Sequence, residues 1–537
     1  MSKRTRKTAA TTEPPAKPPR LGELAQEPPN WRGRAYFDAA ATGAHNREHW
    51  QQAGTQDPDA RILPDLDTLR RRTTSEYHNN SIVKGVVDTL GRDVAGTGPM
   101  VIVNDEAEID SAEATDDAPT IGDEYERRFD EWCGIADAAG RKTLAQIIDG
   151  AIIQFCTEGE YLGVLKSALP TSRTADYPVR LRLLSVAPQR LMTPWGASEG
   201  WEKRNGQSYE TYLNGGIEFD GDGNPLFYYI LKHHPGSAVN YMDAQQYSKV
   251  PASSVIYLGV TPFPGQSRSY PWLSPALENL AYWRRYMLAV LDAAEKGADM
   301  AVLFEAAGND VQPIPVAAMS STTLRRGSMT VAPIGYKASG FKSEQPQTTI
   351  EMFRDVVLAE IFRCIHMPFN IGIGNSAGYN FASGRLDHQV YGRFIGAIQE
   401  WIGIQLIDRL FTEWRREAEL VPGYLARRFP PSARVETTYY WDSARYVEIL
   451  KERQAQGIAL GNRMTSYARE CAREGMDYRR LFRQIARERR QMKALDISPT
   501  DVDKGLNRPA ADNADATADE APAKKPRGKK KETANAA

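Results

Sequence analysis

Apolar residues recur at helical spacing along several long stretches of this chain. Ser81 to Leu90 reads as one helix, broken by Gly96-Thr97-Gly98-Pro99 before Met100-Val101-Ile102-Val103, whose β-branched run reads as a strand. Residues 125–153 keep the helical pattern throughout. Short runs at 161–165, 180–185, 216–219 and 226–231 follow, with Asp220-Gly221-Asp222-Gly223-Asn224-Pro225 as a hairpin turn between the last two. Together they predict an α+β domain with antiparallel strands. Ser274-Pro275 supplies a cap and a first-turn proline for a helix running to Gly297. Leu280, Trp283, Met287, Val290, Leu291 and Ala294 share one of its faces. A second helix begins near Thr348, with Ile350, Phe353, Val357, Ile361 and Cys364 as its stripe, and Pro368 ends it. A third spans 385–420, with Val390, Phe394, Ala397, Trp401 and Ile404 on one face. Residues 443–495 are again helical.

Between the first two of these long helices the period is lost. Val302-Leu303-Phe304 and Met329-Thr330-Val331 suggest a small β-rich insert over 298–346. Between the second and third lies a Gly/Asn/Ser-rich stretch, His366-Met367-Pro368-Phe369-Asn370 and on through Gly384. It is the most informative segment of the chain, because it reads either as a catalytic elbow or as a mobile loop between long helices.

With 537 residues the chain exceeds the size at which one core stops growing, so several domains or an elongated subunit are expected. A net charge of −1 excludes bulk attraction of the whole chain to nucleic acid and leaves only local patches. No apolar run reaches the ~18 residues of a transmembrane helix, and the basic N-terminus lacks the apolar core of a secretory signal. Cys133, Cys156, Cys364 and Cys471 are scattered without a C-x-x-C, which fits a reducing compartment and neither a disulfide framework nor a zinc site. Residues 1–30 and 504–537 hold almost no large apolar groups and are expected to be disordered. The run Lys524-Lys525-Pro526-Arg527-Gly528-Lys529-Lys530-Lys531 is either a solvated tail or a weak phosphate-neutralising arm.

Gly374-Asn375-Ser376-Ala377-Gly378 matches the serine-hydrolase pattern G-x-S-x-G. An elbow needs a strand directly before the serine and a helix directly after it. Asn370-Ile371-Gly372-Ile373 offers at most a very short strand, and the glycines at 378 and 384 oppose an immediate helix. The one downstream histidine, His388, stands beside Asp387 on the next helix, so no separate loops bring acid and base together. His45-Asn46-Arg47-Glu48-His49 matches H-x-x-E-H, in which two histidines one helical turn apart share a zinc, but the pattern is short and a solvated helix explains it. No G-x-x-x-x-G-K-[ST] occurs, so no P-loop is expected. His233-His234 reads as a surface turn. The arginines of 463–493, Arg479, Arg480, Arg483 and Arg487 among them, form either a salt-bridged face or a surface toward packaged nucleic acid.

Four stretches, in this order and spacing, resemble the lambda-like family of tailed-bacteriophage portal proteins. They are Asn79 to Leu90 with Val94-Ala95-Gly96-Thr97-Gly98-Pro99, Leu183 to Leu191, Gln266 to Pro275, and His366-Met367-Pro368-Phe369 with the Asn/Ser loop after it. The resemblance covers roughly 31–500. It implies an α+β portal fold: a disordered tail (1–30), an α/β wing (31–273), a first stem helix (274–297), a clip (298–346), a second stem helix (347–367), a tunnel loop (368–384), a long wing helix with a return strand (385–440), a helical crown (441–503) and a C-terminal tail (504–537).

What the resemblance implies about function is a ring, usually twelve-fold, around a DNA channel at one capsid vertex. Viral double-stranded DNA passes through it on packaging and ejection. The implied partners are further copies of the chain, the DNA, the terminase large subunit, head-completion or adaptor proteins, and the major capsid and scaffold proteins, with no membrane. Assembly in the host cytoplasm and residence in the virion follow. The loop residues expected to touch DNA are Asn370, Asn375, Ser376, Tyr379, Asn380 and Ser383. The crown residues facing DNA are Arg479, Arg480, Arg483 and Arg487. No catalytic residue, cofactor or metal is expected. The rival readings are a serine hydrolase using Ser376 and another capsid-associated structural protein.

Overall fold

The computed structural model describes residues 54–104, 120–169, 174–202, 210–237, 246–299, 303–306, 336–339, 349–430, 435–441, 449–474, 476 and 478–495. The chain divides into two compact units, Met1–Arg61 and Ile62–Ala537. Of the first, only 54–61 are described, and they open helix α1, Pro58–Asn79. His45, Glu48 and His49, both tails and most of the 298–346 insert lie outside the described residues.

Helix α2, Ser81–Ala95, starts where Asn80 Oδ1 accepts from the backbone N–H of Ile82 at 3.1 Å and of Val83 at 3.4 Å. Val83, Val86, Val87, Leu90 and Val94 are its buried stripe, and Gly96 ends it at φ 50°. Strand β1, Met100–Asn104, follows.

The helical pattern over 125–153 resolves into two helices, α3, Ile121–Cys133, and α4, Leu144–Thr157. Both start with capping boxes, Thr120/Asp123 and Thr143/Gln146. Asp137 causes the break. Its carboxylate accepts from the N–H groups of Ala139, Arg141 and Lys142 at 2.9–3.2 Å, giving the backbone an alternative to the helix. Apolar residues recur at three- and four-residue intervals on both sides of the gap, so local spacing alone fuses the two.

Two antiparallel sheets come next. Strands β2, Glu160–Ser167, and β3, Leu181–Val186, pair with each other; β4, Gly200–Glu202, β5, Thr211–Asn214, β6, Ile217–Phe219, β7, Pro225–Leu231, and β8, Tyr247–Pro251, form a five-stranded meander. Strand β9, Val255–Gly259, returns to the other edge of β2. The β6–β7 turn is the one the sequence predicts: Asp220 Oδ1 accepts from the N–H groups of Asp222 and Asn224 at 2.9 and 2.8 Å.

At the start of β2, Glu160 is fully buried. It accepts from Arg70 Nη2 at 2.7 Å, Arg268 Nε at 3.0 Å and Tyr257 OH at 2.6 Å. Arg268 Nη1 also donates to the carbonyls of Leu191 at 2.8 Å and Gly215 at 2.6 Å. One carboxylate thus joins α1, both sheets and the segment leading to the long helices. Burial works against its charge, yet the two guanidiniums, Arg268 ahead of Arg70, hold the carboxyl down at about 2. Next to it, Gly159 stands at φ 89°, and a Cβ there would lie 2.3 Å from the carbonyl carbon of Tyr270.

A 3₁₀ turn over Ser274–Ala276 leads into α5, Leu277–Asp299. Ser274 does not cap it. Its Oγ is buried without a hydrogen-bond partner, and the chain enters the helix through that turn with no side-chain cap. The helix also runs past Gly297. Strands β10, Leu303–Ala306, and β11, Tyr336–Ser339, pair antiparallel within the insert, and Met329-Thr330-Val331 lies outside the described residues. Helix α6, Thr349–Arg363, packs beside α5, with Phe353 meeting Tyr286 at 4.9 Å and Trp283 at 6.5 Å between ring centroids.

Helix α7, Phe369–Ile373, is short, and α8, Phe381–Ile402, passes through a π turn over Gly403–Ile407 into α9, Asp408–Leu420. Strand β12, Glu436–Tyr440, then pairs with β1 in register Met100↔Tyr440. Helices α10, Ile449–Gly461, α11, Tyr467–Arg473, and α12, Tyr478–Ala494, follow. The main core runs from α2 and α4 to α9, where Phe129 of α3, stacked on Trp132, meets Phe411 and Trp414.

Candidate functional site

The site is built where α6 ends. Met367 N–H donates back to Phe362 O at 3.1 Å, and His366 takes a left-handed conformation at φ 56°, which turns the chain off the helix. Pro368 then starts α7 in place of the short strand that Asn370-Ile371-Gly372-Ile373 suggested. The reason is tertiary. A Cβ at Gly372 would lie 2.6 Å from the Phe362 ring, so only glycine lets this turn press against α6, and α7 packs on α2 as well.

Gly374 closes α7 at φ 68°, and Asn375 N–H donates to Asn370 O at 3.1 Å. Residues 374–380 are all exposed. Their order is local: Asn375 Oδ1 accepts from Ala377 N–H at 2.9 Å, and Tyr379 N–H donates to Ser376 O at 3.2 Å. Asn380 caps α8, its Oδ1 accepting from Ser383 N–H at 2.8 Å while Ser383 Oγ donates back to Asn380 O at 3.0 Å. The helix therefore begins at Phe381, ahead of the expected 385, and Gly384 sits inside it.

The six loop residues named from the sequence fall into three settings. Asn375, Ser376 and Tyr379 are exposed on the loop. Asn380 and Ser383 are occupied in the cap. Asn370 is buried on α7, with its Oδ1 unpartnered, and faces the protein interior. Of the arginines on α12, Arg487 is exposed; the side chains of Arg479, Arg480 and Arg483 lie outside the described set.

Helix–loop–helix is not the strand–turn–helix of a nucleophile elbow. Ser376 follows a helix, and α8 starts only at Phe381. His388 is exposed on α8, while the nearby Asp93 is spoken for by Tyr391 OH at 2.9 Å. Burial raises the Asp93 carboxyl above its ordinary value. Gln399 Nε2 donates to Val94 O at 3.0 Å, a second tie between α8 and α2. Among the described residues no group of three His, Cys, Asp or Glu side chains gathers as metal ligands, and no helix is long and apolar enough to cross a membrane.

Beside the loop's base lies a cleft of about 1190 Å³, lined by Trp272, Ala276, Cys364, Phe394, Ile398 and Trp401, with Glu360, Arg363 and His366 as its polar contribution. His366 and Phe394 face each other at 4.7 Å, and the Cys364 thiol donates to Trp272 O at 2.8 Å. The sequence pattern holds no signal for this cleft, because its walls come from three separate segments.

An anchored base, an exposed polar loop and an apolar cleft between long helices make up the site. The sequence matches the phage portal protein, lambda family, over residues 44–399. It is 24% identical over 521 residues to the probable portal protein of Halomonas phage phiHAP-1, covering 92% of each chain. Similar solved structures include the neck of a native gene transfer agent particle computed with C12 symmetry (TM-score 0.41, 13% identical, 77% of this chain and 93% of that one). Another is an HK97-family phage portal protein from Corynebacterium diphtheriae (TM-score 0.26, 14% identical, 60% of this chain and 84% of that one). The chain belongs to the lambda family of phage portal proteins. Its role is that of a portal protein, and the family is a structural one.

Proposed function

We propose that copies of this chain close into a ring at one capsid vertex, that double-stranded DNA moves through its bore, and that residues 374–380 project into that bore. The observation that carries this reading is the loop's construction. Its base is fixed by α7 against Phe362 and by the Asn380 cap, while its tip is exposed and free of charged side chains. Neutral polar groups touch phosphate and sugar weakly and without regard to sequence. A fixed basic ring would instead hold DNA by counterion release. Asn375, Ser376 and Tyr379 make these contacts; Asn380 and Ser383 set the loop's exit, and Asn370 anchors its base.

In this reading α5 and α6 are the stem and the insert between them is the clip on which the terminase large subunit docks. Head-completion or adaptor proteins take its place after packaging, and capsid and scaffold proteins surround the wing. The C-terminal helices form the crown, where Arg479, Arg480, Arg483 and Arg487 face packaged DNA. Assembly takes place in the host cytoplasm and the ring ends in the virion. The test is deletion of 374–380 with a two-glycine bridge in the phage. The expected result is intact rings by negative-stain microscopy with impaired packaging or retention of DNA. Full packaging and retention with the loop removed would overturn the loop's role.

A further inference from the structure

One face of the five-stranded meander carries three aromatic rings side by side across its first three strands. Trp201 of β4 stands opposite Tyr212 of β5, and Tyr212 stands opposite Phe219 of β6. Their ring centroids lie 5.3 and 6.4 Å apart, with interplanar angles of 38° and 34°. Trp201 is 53% exposed, and the other two are half-buried. The buried part of this face gathers at Ile217, Tyr228 and Ile230, and the row leads from there through Phe219 to the free edge of the sheet. Aromatic rings left in a row at a surface are a place where another chain packs.

The spacing of the row fits one kind of backbone. Adjacent strands lie about 4.8 Å apart, so those of Trp201 and Phe219 are about 9.6 Å apart. A polyproline II helix repeats every three residues, or about 9.3 Å. Laid across the strands, it sets prolines three residues apart on Trp201 and Phe219, with Tyr212 between them.

Charge narrows the choice further. Glu202, Glu210, Asp220 and Asp222 belong to the β4–β5 and β6–β7 connections, at the end of the sheet where the row lies. The described lysines of the sheet are placed elsewhere. Lys249 is on the opposite face, paired with Glu218 at 2.8 Å, and Lys232 donates to Gln246 Oε1 at 2.7 Å beyond the other end. Lys203 and Arg204 lie outside the described residues. A stretch with prolines at this spacing and positive charge occurs in the chain's own sequence, Pro14-Pro15-Ala16-Lys17-Pro18-Pro19-Arg20.

We propose that the row of Trp201, Tyr212 and Phe219 binds a proline-rich, basic peptide segment as a polyproline II helix. Its prolines rest on the rings, and its Lys or Arg faces Glu202, Glu210 and Asp222. Such a segment is stiff before it binds and loses little conformational freedom on docking. The surface is separate from the loop at 374–380, and binding there does not depend on the ring reading.

The test uses the full chain carrying Pro15→Ala and Pro18→Ala, so that no copy's own stretch competes. A dye-labelled synthetic peptide with the sequence of residues 13–21 is titrated against it by fluorescence anisotropy. Saturable binding is expected. Trp201→Ala is expected to weaken it about tenfold, while Trp201→Phe, which keeps a ring, retains most of it. A peptide with alanine in place of its prolines keeps the charge and is expected to lose binding. Glu210→Gln combined with Asp222→Asn is expected to weaken binding about threefold and to flatten its salt dependence. Absence of saturable binding, equal affinity for the alanine peptide or unaltered affinity in Trp201→Ala would each overturn the site. Unaltered affinity and salt dependence in the double carboxylate variant would overturn the charge contact.

Discussion

At Glu160 the chain surrounds a buried carboxylate with two guanidiniums and a phenol of its own, whereas at 374–380 and along α5 and α6 it leaves polar and apolar groups facing outward. The first region is complete within one copy. The second is finished locally, by caps and turns, and not globally. On the proposed function, the difference separates what holds a subunit together from what that subunit offers to its partners.

The sharpest way to break this contrast is at Glu160. Glu160→Gln leaves Arg70 and Arg268 buried without a counter-charge, and a loss of about 3–5 kcal/mol is expected in chemical denaturation. The same carboxyl sets an acid limit. Its folded-state value, about 2, lies below the ordinary 4.5, so its contribution is full above that ordinary value and is lost as pH falls from there toward 2. Thermal melts over that window should fall steeply for the natural chain and more gently for Glu160→Gln; parallel curves would remove Glu160 from the account.

Smaller effects are expected nearer the loop. Gly372→Val forces a side chain into the Phe362 ring and should cost about 1–3 kcal/mol by overpacking, read as a lower melting temperature. Asn380→Ala removes the α8 cap, for which about 1 kcal/mol is expected by the same measurement, with Asn380→Asp restoring most of it. Ser376→Ala should stay within about 0.5 kcal/mol, as an exposed loop position does. A large loss there would mean that the loop is part of the core after all.

The positions of α2, α5 and α6 were legible because their apolar residues keep the helical period, although on α5 only Leu280 and Trp283 of the expected row are buried and Leu291, like Phe353 on α6, is exposed. So was the Asp220 turn, whose chemistry is local. The α3/α4 break was not legible, since Asp137 interrupts the helix through backbone N–H groups, which local apolar spacing does not register. Asn370 could not be told from Asn375 by residue type. One lies on a turn pressed against Phe362 and the other just beyond Gly374, and that distinction exists only once α7 is packed.

Sequence by itself determined the long helices, the polar uncharged loop between two of them and the family resemblance that the match over 44–399 bears out. These rest on local periodicity and on residue order, which a one-dimensional pattern preserves. Tertiary structure alone decided the pairing of β1 with β12, the meeting of Arg70, Glu160 and Arg268, the cleft beside Trp272 and the packing of Phe353 on Tyr286. Each joins segments far apart in the chain, and their contacts form only after loop closure and burial have brought them together.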